Sequence, residues 1–211
     1  AGTRIIPLVI EEEKMQKACE VAGKEPIFRI LPYQKKKAGI VTTGSEVYYH
    51  RIEDKFTPVV IEKLKECGVT EVKQIQCNDD HEMITEAIQT LIEDGSDLIV
   101  CTGGMSVDPD DRTPLAIKNA CTEVVTYGAP VLPGAMFMLA YCEKEGRQIP
   151  VMGLPGCVMY AKRTIFDLVL PRIMCDEKLH EKDFRLLGQG GLCLSCPVCT
   201  FPNCGFGKGG Y

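Results

Sequence analysis

The sequence lacks three features that large classes of protein require: a surplus of basic residues, a long apolar run and a rich supply of histidine. Its 211 residues include 24 Lys and Arg against 29 Asp and Glu, so the formal net charge at pH 7 is −5. Nucleic-acid binding needs a basic field around the phosphates, so we expect no nucleic-acid partner. The longest apolar stretch, residues 129–142, contains Pro130, Pro133 and Gly134. It is too short to span a bilayer, so we expect no membrane partner.

The three histidines, His50, His81 and His180, have no evident catalytic partner in the sequence, and we expect them to lie at the surface. No signal-peptide pattern opens the chain, and its first residue is alanine rather than methionine. We therefore expect a piece of a longer protein.

Twelve cysteines are many for a chain of this size. Eight lie singly between Cys19 and Cys175, mostly in apolar or amphipathic segments, where cysteine behaves as a small hydrophobic residue. A secreted disulfide scaffold is usually smaller and pairs its cysteines along the whole length. The pattern therefore favours a reducing, cytoplasmic compartment.

The other four cysteines crowd the last 19 residues, at Cys193, Cys196, Cys199 and Cys204. Two successive Cys-x-x-Cys steps have the ligand spacing of zinc or iron–sulfur sites. Four cysteines in a glycine-rich segment could also pair as disulfides or stay free. We predict a zinc or iron–sulfur site, with zinc favoured, and a structural, regulatory or docking role for the segment.

From residue 38 to about residue 174, short β-rich runs alternate with segments of helical periodicity. Alternation at this spacing predicts a three-layer αβα sandwich with a mostly parallel sheet. The predicted strands are residues 39–43, 69–77, 98–101, 124–126 and 149–153. The predicted helices are residues 55–67, a helix capped by Asp79-Asp80 and ending at Gly95, and residues 114–121 and 157–174.

Three segments follow from this pattern. Residues 1–37 form an N-terminal arm, with a helix over residues 11–23 between βαβ-like strands over residues 5–10 and 27–31. Residues 38–175 form the α/β domain, and residues 176–211 form a C-terminal tail that holds the cysteine cluster.

Ligands of a parallel sheet bind at loops that follow the carboxyl ends of strands, and the most informative such loop is residues 97–114. Thr102-Gly103-Gly104 would let backbone N–H groups approach an anion closely. Hydroxyl and carboxylate groups for Mg²⁺ follow at Ser106, Asp108, Asp110 and Asp111. A glycine-rich turn followed by an acidic turn that caps a helix is the alternative explanation.

Three further loops and one weaker one fit the same rule. Thr42-Thr-Gly-Ser45 follows the first predicted strand, and Asp79-Asp80 follows the second, where helix capping alone would explain both carboxylates. Residues 153–156 read Gly-Leu-Pro-Gly before a helix, which is a ready phosphate site. Pro133-Gly134 repeats that arrangement less clearly.

Five motifs, in one order, resemble the molybdopterin-binding domain shared by molybdopterin adenylyltransferases and molybdenum insertases. They are Thr-Gly-Ser-Glu with Glu-Asp-Lys, Asp-Asp-x-Glu-x-Ile, Thr-Gly-Gly-Met-Ser-Val-Asp with Arg-Thr-Pro, Leu-Pro-Gly-Ala, and Gly-Leu-Pro-Gly. The resemblance covers roughly residues 38–174. The opening Ala1-Gly-Thr-Arg4 is similar to the segment that precedes this domain in longer insertase-like proteins.

The resemblance implies molybdopterin as ligand and Mg²⁺ as its companion ion. The implied binding residues are Thr42, Thr43, Gly44, Ser45, Thr102, Gly103, Gly104, Met105, Ser106, Pro133, Gly134, Leu154, Pro155 and Gly156. The implied catalytic residues are Asp54, Asp80 and Asp108, with Mg²⁺ held by Asp54, Asp108 and Asp111.

The chain departs from both groups of relatives. Asp108 stands where insertases usually have glycine, Cys157-Val158 replaces their Asn-Pro, and Gly-Met-Ser replaces the Gly-Thr-Gly of adenylyltransferases. Gly-Leu-Pro-Gly favours an insertase-like transfer of molybdenum to adenylylated molybdopterin. An adenylyltransferase, a non-catalytic cofactor carrier or sensor, and a nucleotide pyrophosphatase of the same fold remain alternatives.

The expected small-molecule partners are molybdopterin, its adenylylated form, and molybdate or ATP. By the same resemblance we expect a homo-oligomer that contacts a molybdoenzyme or another biosynthetic protein.

Overall fold

The computed structural model describes residues 8–26 and 28–209 of the chain. It divides into two compact units, Ala1–Pro32 and Tyr33–Tyr211. No helix within these described residues is long and apolar enough to cross a membrane.

The described residues of the first unit contain one helix, α1 (Glu12–Ala22), none of whose residues is buried. This helix was predicted, but residues 8–10 and 28–31 are not strands. Residues 1–7 and Ile27, which complete the predicted arm and its opening motif, lie outside the described part.

The second unit is built on six strands: β1 (Lys37–Thr43), β2 (Glu71–Cys77), β3 (Leu98–Thr102), β4 (Glu123–Tyr127), β5 (Met138–Lys144) and β6 (Arg147–Leu154). Its helices are α2 (Ser45–Tyr48), α3 (Phe56–Glu66), α4 (His81–Glu93), α5 (Thr113–Ala120), α6 (Ile165–Met174) and α7 (Glu181–Leu186). Short 3₁₀ turns occupy Gly156–Met159 and Leu187–Gly190.

The sheet order is β2-β1-β3-β6-β5-β4. Strands β2, β1, β3 and β6 pair in parallel, whereas β5 pairs antiparallel with both β6 and β4. Alternate residues of the central strands enter two separate apolar clusters: Ile40 packs with α3 and α6 on one face, and Val41 packs with α4 and α5 on the other. Two buried faces confirm the predicted three-layer α/β fold.

Strand β5 was not predicted, because prolines and a glycine interrupt the apolar stretch in which it lies. It forms a hairpin with β6 through Glu145 and Gly146, whose φ values are +52° and +76°. Two positive φ values are what a type I′ hairpin turn requires.

The predicted helix over residues 157–174 is wrong as a single element. A 3₁₀ turn comes first, and α6 begins only after Thr164, whose hydroxyl caps the helix in a capping box with Asp167. Asp167 also binds Lys63 of α3 at 2.7 and 2.9 Å, and both side chains are buried. This buried pair fixes the loop before α6 against α3.

The segment after α6 packs on the same face as α3 and α6. Leu179, Phe184 and Phe206 are buried in that cluster. A single parallel β-bridge also joins Leu192 to Leu132.

Candidate functional site

The sheet has a switch point between β1 and β3. From β1 the chain crosses to β2 on one side, whereas from β3 it continues through α5 to β4 at the opposite edge. Loops that diverge in this way leave a crevice at the carboxyl ends of the strands, which is where open α/β sheets bind ligands.

The two loops at the switch point pack directly on each other. A Cβ atom on Gly103 would lie 2.3 Å from the Thr43 carbonyl oxygen, and one on Gly104 would lie 2.7 Å from Thr113 Oγ1. Both glycines have positive φ, at +87° and +54°. The hydroxyls of Thr43 and Thr113 are 3.1 Å apart. Close packing therefore requires both glycines whether or not a ligand is present.

Thr102, immediately before these glycines, carries a buried hydroxyl. Its Oγ1 has no hydrogen-bond partner among the described residues. An unsatisfied buried polar group costs about 1–3 kcal/mol. Thr102 Oγ1 is therefore a buried polar group that is left without a partner in the described part of the chain, at the carboxyl end of β3.

An open cavity of about 540 Å³ lies at the ends of β3 and β6. Six of the predicted binding residues line it together: Met105, Ser106, Pro133, Gly134, Pro155 and Gly156. The structure thus brings three loops that are far apart in the sequence to one place.

One wall of this cavity was not predicted from the sequence. Leu192 and Cys193 of the C-terminal segment line it, as does Leu132. The Leu132 N–H donates to Gly191 O at 2.6 Å, and the Cys193 N–H donates to Leu132 O at 2.8 Å. These residues are about 60 positions apart, so no local pattern could have identified the contact.

The remaining predicted binding residues do not line this cavity. Thr42, Thr43, Gly44 and Ser45 lie on the β1–β2 side of the switch point, where Thr42 Oγ1 is 2.8 Å from Thr57 Oγ1. The side chain of Leu154 is fully buried in the core, so only its backbone could meet a ligand.

Asp54 is held by several donors. It accepts hydrogen bonds from the N–H groups of Phe56 and Thr57 at 3.0 Å and from Gln74 Nε2 at 2.9 Å. Burial opposes its ionisation, but hydrogen bonds from Thr57, Phe56 and Gln74 together outweigh burial and lower the pKa of Asp54. Gln74, which also donates to Thr42 Oγ1 at 2.9 Å, was missed at the sequence level.

Asp80 caps α4 by accepting from the N–H groups of Glu82 and Met83 at 2.9 and 3.0 Å. The bond from Met83 is the largest cause of the lowered pKa of this exposed carboxyl. Its neighbour Asp79 accepts from both the N–H and the hydroxyl of Ser45 at 2.8 Å. The capping alternative thus accounts for Asp80, while Asp79 fixes the β1 loop.

The aspartates of the acidic loop after β3 accept hydrogen bonds from other residues of the same loop. Asp111 accepts from the N–H and hydroxyl of Ser106 at 2.6 and 2.7 Å, and Asp108 accepts from the Asp110 N–H at 3.0 Å. Over residues 8–26 and 28–209, no group of three or more His, Cys, Asp or Glu side chains could hold a metal ion. Neither the three aspartates predicted for Mg²⁺ nor the four tail cysteines form a preassembled cage.

A three-layer α/β domain with loops gathered beside the switch point of its sheet defines a ligand-binding class of protein. Within that class the chain belongs to the family described as the probable molybdopterin binding domain, whose model matches residues 39–174.

The chain is also similar to parts of longer proteins. It is 35% identical over 85 residues to a CinA-like protein of Mycobacterium sp. (strain MCS), covering 40% of this chain and 20% of that protein. A CinA-like protein of Mycobacterium avium (strain 104) is 34% identical over 95 residues, covering 45% and 22%. The chain therefore spans about a fifth of the length of these curated relatives.

Two solved structures share the fold. A putative molybdenum cofactor biosynthesis protein from Corynebacterium diphtheriae has a TM-score of 0.54 at 14% identity, covering 68% of this chain and 97% of that chain. The tungsten cofactor synthesizing protein MoaB from Pyrococcus furiosus has a TM-score of 0.51 at 22% identity, covering 59% and 84%.

Proposed function

We propose that this chain binds molybdopterin in the 540 Å³ cavity and transfers molybdenum to the adenylylated form, as an insertase-like protein of cofactor biosynthesis in the cytoplasm. The observation that carries the proposal is the convergence of three loops, at Met105-Ser106, Pro133-Gly134 and Pro155-Gly156, in a chain of the molybdopterin-binding family.

The cavity has the composition that a flat, phosphorylated ligand needs. Val107 and Leu132, which are 81% and 58% exposed, and the half-buried Pro133 offer apolar surface to a pterin ring, and the Ser106 hydroxyl offers a polar group. Ligand cavities are mostly apolar with a few polar groups that fix orientation. Gly156 leaves open space beside its backbone, since a Cβ there would meet no atom within 4 Å.

Mg²⁺ would enter this site with the ligand rather than before it. Asp54 and Asp111 already accept several hydrogen bonds each, whereas Asp108 is exposed at the loop tip. Mg²⁺ is commonly held by one or two carboxylates together with substrate phosphates and water. We therefore propose Asp108 as the carboxylate that meets Mg²⁺ and the ligand phosphate.

Calorimetric titration of the chain with molybdopterin and with its adenylylated form, with and without Mg²⁺, tests the proposal. Preference for the adenylylated form, followed by its cleavage when molybdate is added, supports molybdenum transfer. We expect Asp108→Asn, which keeps the side-chain shape, to lose the part of the affinity that depends on Mg²⁺.

Three other outcomes contradict the proposal, and each identifies a different function. Consumption of ATP with molybdopterin identifies an adenylyltransferase instead. Binding without turnover identifies a carrier or sensor, and failure of both ligands to bind removes the pterin assignment and favours a nucleotide pyrophosphatase.

A further inference from the structure

A second cavity, of about 390 Å³, is lined by all four cysteines near the C-terminus. We name residues 193–204 the cysteine loop; it holds Cys193, Cys196, Cys199 and Cys204, all as free thiols. The cavity shares Leu192 and Cys193 with the first cavity. Four thiols around one space are an unusual concentration of soft ligand atoms.

The cysteine loop is anchored at both ends. At its start, Cys193 donates its N–H to Leu132 O at 2.8 Å. Just beyond its end, Phe206 is 4% exposed in the core, and the Gly207 N–H donates to Gly190 O at 2.7 Å. The segment that these anchors hold therefore lines one cavity with all four cysteines.

Between its anchors the loop has no regular secondary structure, and Phe201 and Cys204 are the residues that pack on the core. Residues 193–204 form no helix or strand, and Leu194 and Val198 are 78% and 77% exposed. A segment without a core of its own usually depends on disulfides or a metal. Two successive Cys-x-x-Cys steps followed by a fourth cysteine match the ligand number and short spacing of a structural zinc site.

We propose that the cysteine loop binds one Zn²⁺ through the thiolates of its four cysteines. Four thiols lose their protons as four Zn–S bonds of about 2.3 Å form, so one ion is bound and four protons are released. The resulting centre carries two negative charges, and Lys162 and Arg163 line the same cavity.

Arg163 is fixed beside this cavity by contacts on three sides. Its guanidinium binds Asp167 at 2.8 Å and Glu66 at 3.0 Å and lies 5.1 Å from the centre of the Phe201 ring. Phe201 lies in the cysteine loop between Cys199 and Cys204. The loop therefore packs on a side chain that the buried Lys63–Asp167 pair holds in place.

Zinc ligation requires the sulfurs to move inward. In the described residues no three candidate ligands are close enough to hold a metal, and short Zn–S bonds demand a tighter arrangement. Residues 194–199 form no helix or strand, so we expect Cys196 and Cys199 to move most, while Phe201 and Cys204 stay packed on the core. We expect zinc to protect the loop from proteolysis.

The test is titration of the reduced full chain with Zn²⁺ against a competing chelator, with Co²⁺ as a spectroscopic probe. We expect one equivalent bound, four thiols protected from a thiol reagent, and sulfur-to-cobalt charge-transfer absorption. Cys196→Ser removes an exposed ligand. Loss of a contact behind a ligand lowers metal affinity by about 10- to 100-fold, so loss of the ligand itself should weaken zinc binding by roughly 100-fold or more. Cys19→Ser removes an exposed thiol of α1 and should change nothing.

Each contrary result overturns the proposal. One such result is full reactivity of the four loop thiols in excess zinc. Others are two disulfides among these cysteines, or iron and sulfide as the bound species. Equal zinc affinity of Cys196→Ser and Cys19→Ser would also overturn it. The titration contains no pterin, so its outcome is independent of the proposed function.

Discussion

Two kinds of glycine border the ligand-binding region. Gly104 has a positive φ, and any side chain there would meet Thr113 Oγ1, so substitution strains the fold itself. Gly156 has no such backbone constraint and faces open space inside the cavity. Gly156 is therefore the position at which a new side chain tests ligand binding alone.

We predict that Gly156→Val lowers the affinity for molybdopterin at least about tenfold, because the isopropyl group occupies ligand space. The thermal unfolding midpoint should stay unchanged. Gly205→Val is the matched control, since a Cβ there also meets no atom within 4 Å and Gly205 lines the cysteine-lined cavity but not the 540 Å³ cavity. Calorimetry and thermal unfolding measure both effects, and equal affinity in the two variants would contradict the site assignment.

For two aspartates, the sequence motif does not distinguish a role in ligand binding from helix capping. The resemblance predicts catalytic roles for Asp54 and Asp80, and in the structure both accept N–H groups at the start of a helix. An aspartate before a helix satisfies free N–H groups in any fold. The role of such a residue depends on which ligand reaches it, and the sequence motif is the same in either case.

At the scale of elements, Arg172 joins α6 to the segment that contains α7. Its guanidinium donates to Glu177 at 2.8 and 2.6 Å and to Asp183 at 3.0 Å. The hydrogen bond from Arg172 lowers the pKa of Glu177. For Asp183 burial opposes ionisation, but the His180 N–H and Arg172 outweigh it and lower the pKa.

These lowered pKa values predict a pH dependence of stability. A carboxyl with a lower pKa in the folded state stabilises fully above its unfolded pKa, near 4, and loses this contribution as pH falls through the folded value. We expect the unfolding midpoint to fall between about pH 5 and about pH 2. Arg172→Met should lower stability at pH 7 and flatten this dependence.

Arg112→Met is the control for this prediction, because Arg112 is exposed and forms no ion pair among the described residues. Its acid profile should match that of the unaltered chain. Thermal unfolding across the pH range measures both variants, and parallel profiles for all three proteins would show that the Arg172 contacts contribute nothing measurable.

Helices with clear caps and breakers were predicted most accurately. Asp80 begins α4, and Gly95 follows its end, as periodicity and capping indicated. The prediction of one helix over residues 157–174 was wrong because the apolar residues keep a helical spacing on both sides of Thr164, which caps α6. The cap at Thr164 depends on tertiary contacts: Asp167 accepts the Thr164 N–H, and Lys63 of α3 binds Asp167.

At the scale of the whole molecule, the two units differ in how much of their described terminal segments is buried. Residues of α1 are not buried, whereas Phe206 is buried, and Leu192 and Cys193 line the candidate cavity. The C-terminal segment therefore completes both the core and the site of the second unit.

Paired truncations test this difference. Removing residues 1–32 should leave the unfolding midpoint and the molybdopterin affinity of the remaining chain nearly unchanged. Removing residues 191–211 should destabilise the protein by about 3 kcal/mol or more, since the loss of one buried phenylalanine costs about that much, and should weaken ligand binding. Calorimetry on both truncated chains decides, and equal stability would contradict a structural role for the C-terminal segment.

The sequence by itself determined the family, the α/β class and five of the six strands, because periodicity, caps and motifs are properties of neighbouring residues. The tertiary structure decided the antiparallel pairing of β5 with β4 and β6, and the cavity wall formed by Leu192 and Cys193. These features depend on contacts between residues far apart in the chain. Such contacts arise from packing and hydrogen bonding in the complete fold and leave no repeat or spacing in the local sequence.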